Sequence, residues 1–198
     1  MSNDPDMTSP RSDDDREFGE VLTRAQSGDE RAIEWLFTRL HPRLIRFLVA
    51  QERRVADDIA GEVWLAVATQ IVDFTGDWAA FRSWLFSIAR RRLADHRRTA
   101  VRRRTDIAEP TVFELRPTQE STEELALDSL SGQQAAALIT SSLRNEQAEV
   151  LLLRLLADLD VDEVAAIMNR TSNWVRVTQH RALRKLARRL GTKIAVMR

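Results

Sequence analysis

Side chains able to make or break bonds are scarce in this chain. Histidine occurs three times, at the widely separated His41, His96 and His180, and there is neither cysteine nor tyrosine. Disulfides, thiolate zinc sites and cysteine nucleophiles are thereby excluded. No HExxH pair and no glycine-rich phosphate loop occurs. Acid pairs such as Asp57/Asp58, or the run Asp13–Asp15, read as solvated carboxylates. The sequence predicts no catalytic residue, no metal ligand and no cofactor. Its chemistry is that of a binding protein.

The abundant reactive group is the guanidinium. Lys and Arg number 30 against 30 Asp and Glu, so the formal net charge is zero, but the charges are segregated. Residues 1–16 hold five Asp and two Arg, whereas Arg82 to Arg104 hold nine Arg and one acid, Asp95. Residues 105–130 hold seven acids against Arg116 alone, and Trp174 to Arg198 hold eight Lys or Arg and no acid. Two basic blocks divided by an acidic stretch suggest two polyanion contacts on one chain, although a single basic run is as readily a solvated helix face.

The elements that carry these blocks are helical. Apolar residues form 43% of 198 positions, Gly (6) and Pro (5) are rare, and Ala, Leu and Arg dominate. Residues 1–16 read as a disordered acidic tail. From Glu17 a helix carries Phe18, Val21, Leu22 and Ala25, ending at Ser27-Gly28-Asp29. Asp29 caps the next, with Ile33, Leu36, Phe37 and Leu40 expected inward, and Pro42 is expected to start a further turn through Leu44, Ile45, Phe47 and Leu48. A helix over Val55–Val72 turns Ile59, Val63, Ala66, Val67 and Ile71 inward. Another, from Trp78 to Arg98, buries Phe81, Trp84, Leu85, Ile88 and Leu93. Residues 105–130 contain Pro110 and Pro117 and little periodicity, which is linker chemistry. A second helical unit begins near Ser131. The chain reads as all-α: two small helical domains, 17–104 and 131–198, joined by a flexible acidic linker.

The strongest local pattern lies near the C-terminus. Asp160-Val-Asp-Glu163 has the form of a capping box, and Val164, Ala165, Ile167 and Met168 supply a short helix. Asn169 stands where the chain must reverse, since Asn tolerates the left-handed conformation. Thr171 or Ser172 caps a longer helix running to about Leu190, with Val175, Ala182, Leu186 and Leu190 inward. Its outward set includes Arg176, His180, Arg181, Arg184, Lys185, Arg188 and Arg189. This is the logic of a helix-turn-helix whose second helix enters a major groove.

Two segments together resemble the extracytoplasmic-function group of bacterial RNA polymerase sigma factors. EVLLLRLLADLD, VDEVAAIM and NRTSNWVRVTQHRALRKLARRL are similar to region four of that family. AQSGDERAIEWLFTRLHPRLIRFL, VADDIAGEVWLAVA and FTGDWAAFRSWLFSIARRRLADHRR are similar to region two. The resemblance implies a cytoplasmic sigma factor that binds core RNA polymerase, directs it to specific promoters and promotes −10 melting. Asp57, Asp58, Ile59, Glu62, Val63 and Leu65 would grip the clamp coiled coil. Gly61 departs from the glutamine usual there.

The loop from Phe74 to Ala80, with Arg82, Ser83, Arg90, Arg91, Arg92, Arg97 and Arg98, would engage the −10 element. Thr75, Asp77 and Trp78 would form its base pockets. Ser172, Asn173, Trp174, Arg176, His180, Arg181, Arg184 and Lys185 would face the −35 element, with Val177, Thr178 and Gln179 departing from the commoner run. Trp84 reads as core, and Trp35 and Trp64 read as core candidates.

The expected partners are core polymerase, promoter DNA and an unidentified anti-sigma factor. No apolar run reaches the roughly 18 residues of a membrane span, and the acidic N-terminus lacks the apolar stretch of a signal peptide. The alternative is a helix-turn-helix regulator that is not a polymerase subunit. Its sensor domain would need a pocket, which an acidic helix followed by nine arginines does not suggest.

Overall fold

In the computed structural model the described residues are 10–106 and 124–196. All regular structure among them is helical: α1 Pro10–Gln26, α2 Glu30–Glu52, α3 Ala56–Gln70, α4 Trp78–Asp106, α5 Glu124–Ser142, α6 Asn145–Leu155, α7 Val161–Met168 and α8 Ser172–Val196. Single 3-10 turns, Arg53–Val55 and Ile71–Asp73, flank α3. Of the expected tail and linker, residues 1–9 and 107–123 lie outside the described residues.

Helices α1–α4 pack on one another, with α2 and α4 central. Leu36, Leu40, Leu44, Phe47 and Leu48 of α2 meet Phe81, Leu85, Phe86 and Ala89 of α4 in a fully buried core. Several of the sequence expectations are corrected here. Helix α1 begins at Pro10, so residues 10–16 are helical rather than tail. Phe18 anchors this helix, its ring centroid 5.3 Å from those of both Trp78 and Phe81.

Helix α2 runs unbroken through Pro42. The proline removes one N–H donor, but it and Thr38, whose carbonyl it orphans, are both exposed, so that carbonyl is open to solvent. Ile33 and Phe37 are exposed, and Ala32 takes the inward position instead.

Helices α5–α8 form the second unit, with Val150, Leu151, Leu152, Leu153, Leu159, Val164 and Val175 buried. The Asp160 carboxylate accepts from the Asp162 and Glu163 N–H groups at 2.8 and 2.9 Å, while Glu163 accepts from the Asp160 N–H at 2.6 Å. This is the reciprocal cap expected from the sequence. Asn169 adopts φ 51°, ψ 53° and reverses the chain. On α8 the inward residues are Val175, Thr178, Ala182 and Leu186; Leu190 is exposed, contrary to expectation.

The two units are not separate. Helix α7 lies along α4, and α5 and α6 touch α2.

Candidate promoter and polymerase surfaces

Helix α3 owes its stability to its inner face, because neither end carries a side-chain cap. Asp57 and Asp58 occupy its first turn, where carboxylates suit the helix dipole. The outward row is Asp58, Glu62 and Leu65, with Leu65 67% exposed. An exposed leucine beside carboxylates is chemistry for a basic, partly apolar partner helix. Ile59 and Val63, named with this surface from the sequence, are core residues in the structure: both are buried against the bundle and unavailable to a partner. A Cβ built on Gly61 meets nothing, so no packing within the chain requires glycine there.

Beside this row lies an aromatic stack. Phe37 stacks on His41 with ring centroids 4.3 Å apart, Trp64 lies 5.0 Å from Phe37, and the Trp64 Nε1–H donates to His41 Nδ1 at 3.2 Å. Partial burial lowers the His41 pKa, opposed by the charge of Asp57. The neutral ring is favoured in the folded state, and only the neutral ring leaves Nδ1 able to accept. The stabilisation is therefore present above the ordinary histidine value of about 6.5 and is lost as pH falls below it. Thermal melts from pH 7.5 to 5.5 should show a drop in midpoint that His41→Gln abolishes. An equal drop in both proteins would remove His41 as its source.

The α3–α4 loop is held from three sides. The Gln26 side-chain amide donates to the carbonyls of Ile71 and Phe74, both at 2.9 Å, and Asp15 accepts from the Trp78 N–H at 3.3 Å. Asp77 caps α4, accepting from the Ala80 N–H at 2.7 Å. Gly76 has φ 154°, and a Cβ there would lie 2.9 Å from Ala80 Cβ and 3.1 Å from the Phe74 ring, so the loop requires glycine.

Thr75 and Asp77 are exposed on this loop. Trp78 is not: it is 8% exposed, wedged among Phe18, Trp35 and Phe81. The expectation that it forms a base pocket is corrected, because its ring belongs to the core. Trp35, Trp64 and Trp84 are half-buried against that core.

Along α4 the arginines divide. Arg91, Arg92, Arg97 and Arg98 are exposed. Arg92 reaches Glu62 at 3.5 Å, Arg97 donates to Gln51 at 2.9 Å, and Arg98 pairs with Asp95. Arg82 and Arg90 are instead turned toward the second unit, with Ser83 half-buried near them.

On α8, Asn173, Arg176, His180, Arg181 and Arg184 are exposed, and Lys185 is half-buried. The Thr171 hydroxyl caps the helix, accepting from the Trp174 N–H at 3.2 Å. The Ser172 hydroxyl donates to the Asp162 carboxylate at 2.5 Å, tying α7 to α8. Thr178, unusual in the family run, is buried and keeps Val175 and Ala182 on the same inner face.

Arg144 was not among the residues expected from the sequence to form a surface with α8. An open cleft is lined by Arg144, Asn145 and Gln147 at the start of α6, and by Trp174 and Arg181 of α8. The only sequence signal was a lone arginine between two helices. Among the described residues no cluster of three or more metal-ligating side chains exists, and no helix is long and apolar enough to cross a membrane.

Comparison with known proteins places both units. Residues 35–103 match sigma-70 region 2 and residues 133–186 match sigma-70 region 4. The chain is 33% identical over 172 residues to the ECF RNA polymerase sigma factor SigD of Mycobacterium tuberculosis, covering 84% of this chain and 80% of that one. It is 31% identical over 185 residues to the ECF RNA polymerase sigma factor ShbA of Streptomyces griseus, covering 89% and 96%. Against the ECF RNA polymerase sigma factor BldN of Streptomyces coelicolor the identity is 31% over 175 residues, covering 86% of this chain and 65% of BldN.

Two solved structures share the fold. CnrH, in complex with the cytosolic domain of CnrY, has a TM-score of 0.63 at 21% identity, covering 91% of this chain and 99% of that one. RpoE of Bartonella quintana, in complex with the anti-sigma factor NepR, has a TM-score of 0.60 at 18% identity, covering 80% and 96%. A regulator that is not a polymerase subunit does not account for a region-2 match spanning α3 and α4. The succession of region 2 and region 4, with relatives of this identity and coverage, places the chain in the extracytoplasmic-function group of RNA polymerase sigma factors, which direct promoter-specific transcription.

Proposed function

We propose that the exposed row Asp57, Asp58, Glu62 and Leu65 docks this chain on the clamp coiled coil of core RNA polymerase. The −10 element then meets the α3–α4 loop and the α4 arginines, and the −35 element meets the N-terminal half of α8. The observation that carries this reading is the segregation of chemistry. An acidic face with an exposed leucine on α3 borders the basic face of α4, meeting it at the Glu62–Arg92 pair, so polymerase and DNA can be held on adjoining surfaces of different charge.

With Trp78 in the core, capture of an unstacked base falls to Thr75 and Asp77. Arg91, Arg92, Arg97 and Arg98 hold the backbone of the strand. On α8, Arg176, His180 and Arg181 face base edges, Asn173 and Trp174 stand at the groove entrance, and Arg144 adds a phosphate contact beside Arg181. Tethering two weak DNA contacts through the polymerase makes them jointly selective. An anti-sigma protein that covers these faces is the expected regulator, as CnrY and NepR are bound to the fold relatives. The expected site of action is the cytoplasm, and no catalytic step is assigned to the chain.

The test is run-off transcription from genomic promoter fragments with purified core polymerase. Specific transcripts that require both components are expected. Retained DNA binding without such transcripts would leave a polymerase-independent regulator. In the same assay Arg176→Ala or Arg181→Ala should weaken promoter use by about 1–3 kcal/mol wherever the arginine reads a base. Loss that is uniform across −35 variants would make that arginine a backbone contact.

A further inference from the structure

Helix α1 meets the α3–α4 loop at both of its ends, with opposite chemistry at each. At the first end, the Ile71–Asp73 turn closes α3, where carbonyls run out of intrahelical donors. The half-buried Gln26 side chain supplies them: its Nε2 donates to the carbonyls of Ile71 and Phe74 at 2.9 Å, with that of Val72 at 3.4 Å. At the second end, α4 begins with N–H groups that need acceptors, and the exposed Asp15 carboxylate takes the Trp78 N–H at 3.3 Å. We infer that α1 is a strut for this loop: Gln26 and Asp15 fix its two ends, so that selection of the −10 element depends on two positioning residues of α1. The inference rests on the reading of the loop as the −10 contact.

Three observations support it. The first is spacing. Asp15 and Gln26 stand eleven residues apart on α1, three helical turns, so both project from one face at a separation of about 16 Å. Phe18 and Leu22, on the same face between them, are buried, Phe18 against Trp78 and Phe81. The strut therefore cannot slide without opening the core. The second is residue type. One amide nitrogen faces three carbonyls, and a carbonyl only accepts, so glutamine fits there and the isosteric glutamate does not.

The third is what lies between the anchors. Thr75, Gly76 and Asp77 are exposed, and Gly76 holds φ 154°, a conformation suited to glycine. From the other side the loop is held by the Phe74 ring, 5.2 Å from Phe81 and 5.1 Å from Trp84, and by the Asp77 cap. Those contacts tie the loop to the helix that follows it, whereas Gln26 ties it to α1. A loop fixed before DNA arrives loses little freedom when it captures a base, and it cannot reshape itself around a wrong one. Both residues precede the 35–103 span that matches sigma-70 region 2, so promoter reading in this chain extends beyond that span.

Gln26→Glu in the full chain tests this, because it keeps size and removes both donors. Asp15→Ala, at an exposed site, is the second variant. Circular dichroism verifies the helices, and titration of core polymerase verifies docking, which both variants should retain. Hydrogen exchange read by mass spectrometry over residues 71–80 should be faster in each variant. Each holoenzyme is then titrated with fluorescent forked DNA carrying the −10 strand of a run-off promoter, or that strand with one base exchanged. Preference for the native strand should fall on the order of tenfold in Gln26→Glu, the equivalent of leaving about one loop residue unordered. A variant that had merely lost active protein would keep the ratio between the two strands. Unchanged exchange in Gln26→Glu overturns the strut, and faster exchange with unchanged strand preference overturns its role in selection. If wild-type holoenzyme yields no promoter-specific transcript, the sigma reading fails instead, and the exchange comparison still decides the strut.

Discussion

Exchanging Asp58 and Glu62 together for lysine is expected to abolish transcription while leaving the fold intact. Both side chains are exposed on α3. The pair that Glu62 makes with Arg92, at 3.5 Å between exposed groups, contributes little to stability. Asp58 sits in the first helical turn, so its replacement costs about 0.3–1 kcal/mol through the dipole. At a docking face the same exchange brings like charges together at a cost of several kcal/mol, a loss of roughly a hundredfold or more in affinity. Titration of labelled core polymerase measures it directly. Holoenzyme assembly at wild-type strength would move the docking face away from α3.

The second large effect is on stability. Phe18→Ala should cost about 3–5 kcal/mol in urea unfolding, the range for a fully buried phenylalanine. Its ring touches Trp78 and Phe81, both at 5.3 Å, and so joins α1 to the start of α4. The same variant should loosen the loop that Gln26 and Asp15 hold, since both stand on α1. A loss below about 1 kcal/mol would show that α1 is an attachment rather than part of the bundle.

Features closed by local hydrogen bonds were readable from residue types alone. The Asp160/Glu163 cap, the reversal at Asn169 and the Asp29 cap each depend on neighbours within five residues. What could not be read depends on distant chain. Trp78 belongs to the core because α1 covers it, and reading residues 10–16 as tail shortened the helix that supplies that cover. Ile59 and Val63 were assigned both inward positions and a docking role, and burial leaves room for only the first. Helix α2 crosses Pro42 because buried residues on both sides hold it together, which no local rule registers. The contact between units was the least legible. It is made by charged residues that, in a list of positions, look like solvent-facing ones.

Helix α4 has one further consequence. Its first half is embedded in the bundle as far as Leu93, while most of its continuation, through Arg97, Arg98 and Arg102, stands in solvent. The embedded half acts as a permanent nucleus, so the exposed half frays and rewinds one residue at a time without the unfavourable first turn that limits isolated helices. Repulsion among its arginines favours fraying at low ionic strength, and a phosphate chain laid along Arg97, Arg98 and Arg102 favours the wound form.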